Sequence, residues 1–136
     1  MDWTEALKMG VPAIDGEHKH AVWLMDRLGE AIWARDPQVV CRLLLDVCDH
    51  FTRHFADEER LMAEVEYPMT AAHRAEHAEM SAWIEQAAKA VTANPGLSSP
   101  TAVKAIKWIS DHLTNSDMLV AEFIRTKRAI SMSMAA

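Results

Sequence analysis

The sequence predicts an all-α fold: an antiparallel up-down-up-down four-helix bundle with an N-terminal arm and a short C-terminal helical extension. Three observations point there. Four stretches carry apolar residues three and four apart, the period of one helix face. The breaks between them are short and marked by proline, at Asp36-Pro37, Tyr67-Pro68 and Asn94-Pro95-Gly96-Leu97-Ser98-Ser99-Pro100, and short connections between long amphipathic helices make antiparallel neighbours. Half of the 136 residues are hydrophobic, with four glycines, five prolines and one tyrosine, a composition suited to a helical core. That length fits one domain over residues 1–136, with the arm at about 1–14 and the bundle at about 15–127.

The arm contains Gly10-Val11-Pro12, poor helix material. Asp15 is positioned to cap the first helix, which is expected to run to about Arg35 with His18, Val22, Met25, Leu28 and Ile32 inward. Asp36-Pro37 is a cap followed by proline at the first helical position. It opens a second helix to about Glu64, with Val40, Leu44, Val47, Phe51, His54, Glu58 and Met62 on one face. The third helix is expected from about Met69 to Thr92, burying His73, His77, Met80, Ile84, Ala87 and Val91. Ser99-Pro100 repeats the cap-plus-proline signal. The fourth helix then buries Ala102, Ala105, Ile109 and His112 and continues, after a break, through Leu119, Phe123 and Ile124.

Charge and composition exclude several classes of function. A net charge of −6 with no basic patch argues against nucleic acid. The Arg125-Thr126-Lys127-Arg128 run reads as a solvated helix end. No apolar run approaches the roughly 20 residues of a membrane span. The start, Met1-Asp2-Trp3-Thr4-Glu5, lacks the pattern of a signal peptide and reads as a natural start, so a cytoplasmic protein is expected, and its acidic exterior suggests a monomer. Cys41 and Cys48 lie about 10 Å apart along one helix, too far for a disulfide, and read as small buried hydrophobes.

Five histidines and two carboxylates carry the chemistry: His18, His54, Glu58, His73, His77, His112 and Asp117. His54 and Glu58 are four apart, as are His73 and His77, so each pair shares a helix face. Burying so many polar groups without partners is costly. A metal centre removes that cost, and seven donors suit two ions better than one. His20 and His50 fall on polar stripes, with Arg27 and with Asp46, Arg53 and Asp57 respectively, and are expected to be exposed. His112 and Asp117 are five apart, which in a regular helix separates them by ~140°. Either Asp117 is a surface residue or the helix is wound wider or broken there, and Asn115-Ser116 would tolerate that. The donor set itself is histidine-rich, unlike carboxylate-rich di-iron bundles, and favours a mild, reversible exchange of electrons with a small ligand.

The ordered set Trp3, Gly10, Ile14-Asp15-x-x-His18, His54-Phe55-x-x-Glu58-Glu59, Met62, Tyr67-Pro68, His73-x-x-x-His77 and Trp108-x-x-x-His112-x-x-x-x-Asp117 resembles the hemerythrin family, in its single-domain bacterial form. The resemblance covers about residues 3–120 and brings Asp117 into the ligand set. It implies two non-haem iron ions, Fe2+ or Fe3+, that bind O2 reversibly. By analogy His73, His77 and His112 hold one iron and His18 and His54 the other, which keeps a position open. Glu58 and Asp117, with an oxide or hydroxide, bridge them. O2 takes one electron from each iron and a proton from the bridging hydroxide, so the buried net charge stays constant and no protein acid or base is required. Ala21, Val22, Met80, Trp108 and Leu113 are expected around the O2 pocket. Ala21 and Met80 depart from the leucine and the aromatic that members commonly carry. Trp23 or Trp83 could fill the volume, or the route to the open iron is wider. Alternatives to an O2 carrier or store are a sensor acting through a partner and a redox enzyme such as a peroxidase or a scavenger of nitric oxide or O2. Trp23, Trp83 and Trp108 could serve electron transfer but read as core aromatics. A purely structural zinc bundle is the bland alternative.

Overall fold

Each expected stripe reaches the core. In the computed structural model, which describes residues 5–135, α1 spans Pro12–Trp33, α2 Pro37–Glu64, α3 Thr70–Ala93 and α4 Ser98–Asp111. A π turn over His112–Ser116 joins α4 to α5, Asp117–Ala135, and the two helices form one rod. Trp3 lies outside the described residues. α1 packs against α2 and α4, and α3 packs against the same two. Every stripe residue named for α2 and α3 is buried.

The helix starts explain themselves locally, twice differently from the sequence reading. At α2 the Asp36 carboxylate accepts the Val39 N–H at 3.2 Å, as the cap-plus-proline signal requires. α1, however, begins at Pro12, with Val11 before it. Proline costs nothing at the first position, because its missing N–H belongs to the unpaired first turn. Asp15 does not cap that helix. It is buried and accepts the N–H groups of Met9 (2.6 Å) and Gly10 (3.2 Å), tying down the arm. Gly10 makes this turn with φ +81°, and a Cβ there would sit 3.0 Å from the Arg128 guanidinium.

At α4 the cap is again elsewhere than expected. Asn94 accepts the Gly96 N–H, a 3₁₀ turn spans Pro95–Leu97, and α4 starts at Ser98. Pro100 therefore lies inside the first turn, where no backbone donor is needed. The Arg125–Arg128 run is not merely solvated. Arg125 and Arg128 donate to the Lys8 and Gly10 carbonyls, and Lys127 donates to the Val65 carbonyl.

Two apolar clusters stack along the bundle. The larger contains Ala21, Val22, Leu28, Leu44, Phe51, Phe55, Met80, Ile109 and Leu113, with Trp83 and Trp108 packed against it. The smaller joins Met9 of the arm to Ile14, Met62, Val120, Ala121 and Ile124. Leu119 is exposed, contrary to expectation, because the π turn shifts the inward face of α5 to Asp117, Val120, Ala121 and Ile124. Phe123 is half-buried, edge-on to Tyr67. Trp23 is 49% exposed, stacked on His20 with Arg27 over its ring. Cys41 and Cys48 are free and half-buried. Among the described residues, no helix is long and apolar enough to cross a membrane.

Candidate metal centre

Between the two apolar clusters lies a layer made of all seven predicted residues. None is more than 4% exposed. α1 contributes His18, α2 His54 and Glu58, α3 His73 and His77, the π turn His112 and α5 Asp117. Their donor atoms gather into two groups. One holds His73, His77, His112, Glu58 and Asp117; the other holds His18, His54, Glu58 and Asp117.

The two carboxylates divide their oxygens between the groups. Glu58 Oε1 lies 2.6 Å from His73 Nε2 and 3.3 Å from His77 Nε2, whereas Oε2 lies 3.2 Å from both His18 and His54 Nε2. Asp117 Oδ1 lies 3.1 Å from His73 and 3.0 Å from His112, and Oδ2 lies 3.2 Å from His18. The π turn is what brings Asp117 onto the His112 face.

Hydrogen bonding alone does not account for this arrangement. His54 Nδ1–H donates to Glu17 Oε1 at 2.9 Å, and His77 Nδ1–H to Glu59 Oε2 at 3.1 Å. With the proton on Nδ1, each Nε2 turns a lone pair inward. Yet His18 and His54 Nε2 are 3.2 Å apart, as are His77 and His112 Nε2. Both Asp117 oxygens are buried without a well-directed hydrogen bond, despite their short distances to imidazole nitrogens. Two donors each about 2.1 Å from one ion, at right angles, stand about 3.0 Å apart. The convergent contacts match that spacing, so the residues present fit a metal ion in each group.

The electrostatics favour positive charge at the same place. Burial alone would lower His18 and His73, but the Asp117 and Glu58 carboxylates outweigh it and push them up to about 10 and about 9. Burial opposes an ionised Glu58, yet the four surrounding imidazoles hold it well below the usual carboxylate range. Asp117 is likewise lowered, against burial and the Glu58 charge, by His112 and His18. Without metal, protons must supply the charge that two cations would bring.

Aromatic rings brace the three-histidine group. Phe55 stacks on His77 with centroids 3.9 Å apart, and Trp108 stacks on His112 at 4.7 Å. Trp108 is half-buried, while Ala21, Val22, Met80 and Leu113 are fully enclosed.

His20 is exposed as expected, but His50 is not. It is 8% exposed, and its Nε2–H donates to the Glu17 carbonyl at 3.0 Å. α1 packs over that side of α2, so the polar stripe ends at His50 rather than including it. Burial and the neighbouring His54 push it down to about 4. Glu17 and Glu59, which orient His54 and His77, carry no periodic signal of their own. Glu59 does stand in the motif His54-Phe55-x-x-Glu58-Glu59 that carries the family resemblance, whereas only adjacency to His18 hints at Glu17.

Comparison with known proteins places these residues in a context. The model of the hemerythrin HHE cation binding domain matches residues 9–124. The chain is 25% identical over 123 residues to a bacteriohemerythrin of Stenotrophomonas maltophilia (strain R551-3), covering 90% of this chain and 80% of that protein. It is 23% identical, with the same coverage, to a bacteriohemerythrin of Pseudomonas aeruginosa (strain LESB58).

Proposed function

We propose that this chain, which belongs to the hemerythrin family, binds O2 reversibly at a pair of non-haem irons in the middle of its bundle. His73, His77 and His112 would hold one iron and His18 and His54 the other, with Glu58 and Asp117 common to both groups. When bound, the ferrous pair supplies the two electrons that O2 takes up, one from each ion.

The observation that carries this reading is the unequal division of donors. Five residues converge on one point and four on the other, with both carboxylates common to the two. With one donor fewer, the His18–His54 group would leave its ion more room for a small ligand than the three-histidine group. Such an asymmetric site suits a small ligand that must come and go.

The remaining residues hold and insulate. Glu17 and Glu59 fix the His54 and His77 rings through their Nδ1–H groups, which also raises the basicity of Nε2. Ala21, Val22, Met80 and Leu113, with Trp108, line the O2 pocket and keep out the water and protons that promote irreversible oxidation. This reading makes the protein an O2 carrier or store rather than an enzyme. Its net charge of −6 suits a monomer.

The test is anaerobic reconstitution with ferrous ion, followed by O2 titration and cycling between argon and air under optical spectroscopy. A charge-transfer band that comes and goes with O2 is the expected result. Irreversible bleaching with continuous consumption of reductant would point to a redox enzyme. A colourless protein that retains zinc through the cycle would mark a structural metal site.

A further inference from the structure

With all seven donor side chains closed off from solvent, a metal ion needs a way in. Crossing apolar packing bare is prohibitively costly, so its water shell must be exchanged for protein donors step by step. Among the described residues, surface hollows at His77, His112 and His54 each touch one of the seven. The hollow at His77 is lined by Cys48 and Glu85 as well as Ala56, Ala71, Ala75 and Ala78, but it offers no further imidazole, and its Glu59 is already engaged by Arg74 and His77. The hollow at His112, of about 170 Å³, offers Glu76 and Asp111 but no further imidazole.

The hollow at His54 differs in kind. Its volume is about 340 Å³, and its lining includes Glu17, His20, His50, Arg53 and Asp57. Three imidazoles descend through it. The exposed His20 ring sits edge-on to His50 with centroids 4.8 Å apart, and His50 lies parallel to His54 at 5.9 Å. His50 spends its Nε2–H on the Glu17 carbonyl, which leaves Nδ1 as a neutral donor of the kind that binds divalent first-row metals. Glu17 and Asp57 place two carboxylates at the mouth beside Arg53, with Arg60 3.6 Å from Asp57, and offer an incoming cation oxygen donors. Neither His20 nor His50 belongs to the two donor groups of the centre.

Resting on the metal-centre reading, we propose that His20 and His50, with Glu17 and Asp57 at the mouth, form a capture site. Through it a divalent metal ion is handed to His54 and so to the His18–His54 half of the centre. The ion moves as a hydrated cation that loses water to His20, then His50, then His54. No electron is transferred on the way.

The test follows ferrous ion uptake by chelator-stripped protein under anaerobic stopped-flow conditions, in competition with a chromophoric chelator, and then measures final metal content. His20→Ala and Asp57→Asn are each expected to slow uptake about fivefold, while Arg53→Gln speeds it, as local charge predicts. All three fill to the same final content as the parent. Asp111→Asn, at the His112 hollow, leaves the rate unchanged. His20→Gln guards against a packing artefact and should be as slow as His20→Ala. Full loading of the parent with His20 and Asp57 variant rates within about twofold of it overturns the route but spares the metal centre. So does slowing by Asp111→Asn alone, or lowered final content at an unchanged initial rate. A parent chain that takes up no iron overturns both readings.

Discussion

His112 Nε2 and Asp117 Oδ1 stand 3.0 Å apart, although five residues separate them along one helical rod. A regular helix turns about 500° over that interval, which would leave the side chains ~140° apart. The π turn His112–Ser116 holds one more residue per turn and absorbs the difference. The meeting of these two residues is therefore a matter of register.

Register can be tested by deletion. Removing Asn115, which is exposed, gives His112 and the aspartate a spacing of four, about 40° apart in a regular helix. The inward face of α5 keeps its phase. The deletion variant is expected to fold and to load the same metal content as the parent. Inserting one alanine at the same place turns the aspartate away by about 100° and should cost metal binding and much of the burial of Val120 and Ile124. Metal content per chain and Tm check both. A deletion variant that folds but stays empty would mean that the π turn does more than set register.

The same distortion marks the boundary of what the sequence discloses. His18, His54, Glu58, His73 and His77 could be read inward because their helices are regular there and a 3.6-residue period holds. Asp117 could not, since periodicity carries no information across an inserted residue; only the resemblance to a family supplied it. Leu119 was misplaced for the same reason. His50 was misread from its stripe companions, because burial at a stripe edge depends on where a neighbouring helix crosses, which no single helix encodes. Asp15 looked like a helix cap by chemistry, yet it serves the arm, whose path around Gly10 is a tertiary feature.

Protons take the place of metal in the stripped protein, and this has a signed consequence. His18 and His73, pushed up to about 10 and about 9 by the Asp117 and Glu58 carboxylates against the effect of burial, lie above the unfolded value of about 6.5. Their contribution to stability is complete below that unfolded value and is lost as pH rises through the folded ones. The Tm of chelator-treated protein should therefore fall between about pH 6.5 and pH 10, while metal-loaded protein, whose imidazoles are held by ions, shows no such fall. Loading at pH 8 should also release roughly two protons per chain from these histidines. Calorimetry and a pH indicator in weak buffer measure the two effects. A stripped protein with constant Tm up to pH 10 contradicts the assignment.

Glu59 and Glu17 divide the centre in a way that affinity can resolve. Glu59 Oε2 accepts from His77 Nδ1–H in the three-histidine group, and Glu17 Oε1 accepts from His54 Nδ1–H in the other. Loss of such a partner typically weakens metal binding about 10- to 100-fold. Glu59→Ala should loosen one ion and Glu17→Ala the other, so that chelator titration becomes clearly biphasic in each variant. Equal weakening of both ions in both variants would argue that the carboxylates act through the fold as a whole.

Ala21 offers the sharpest test of how the pocket protects its ligand. It lies three residues after His18 on the same helix and is completely buried in the larger apolar cluster. A leucine there adds apolar bulk on the side proposed to stay open. Added volume in a close-packed core costs about 1–3 kcal/mol, so some loss of Tm is expected and serves as a control for insertion of the side chain. If the pocket is wider at Ala21, the bulk excludes water and protons, and Ala21→Leu should lengthen the lifetime of the oxygenated absorption band in air. A lifetime unchanged or shortened, in a variant that still loads both irons, would show that Ala21 does not govern access to the open position.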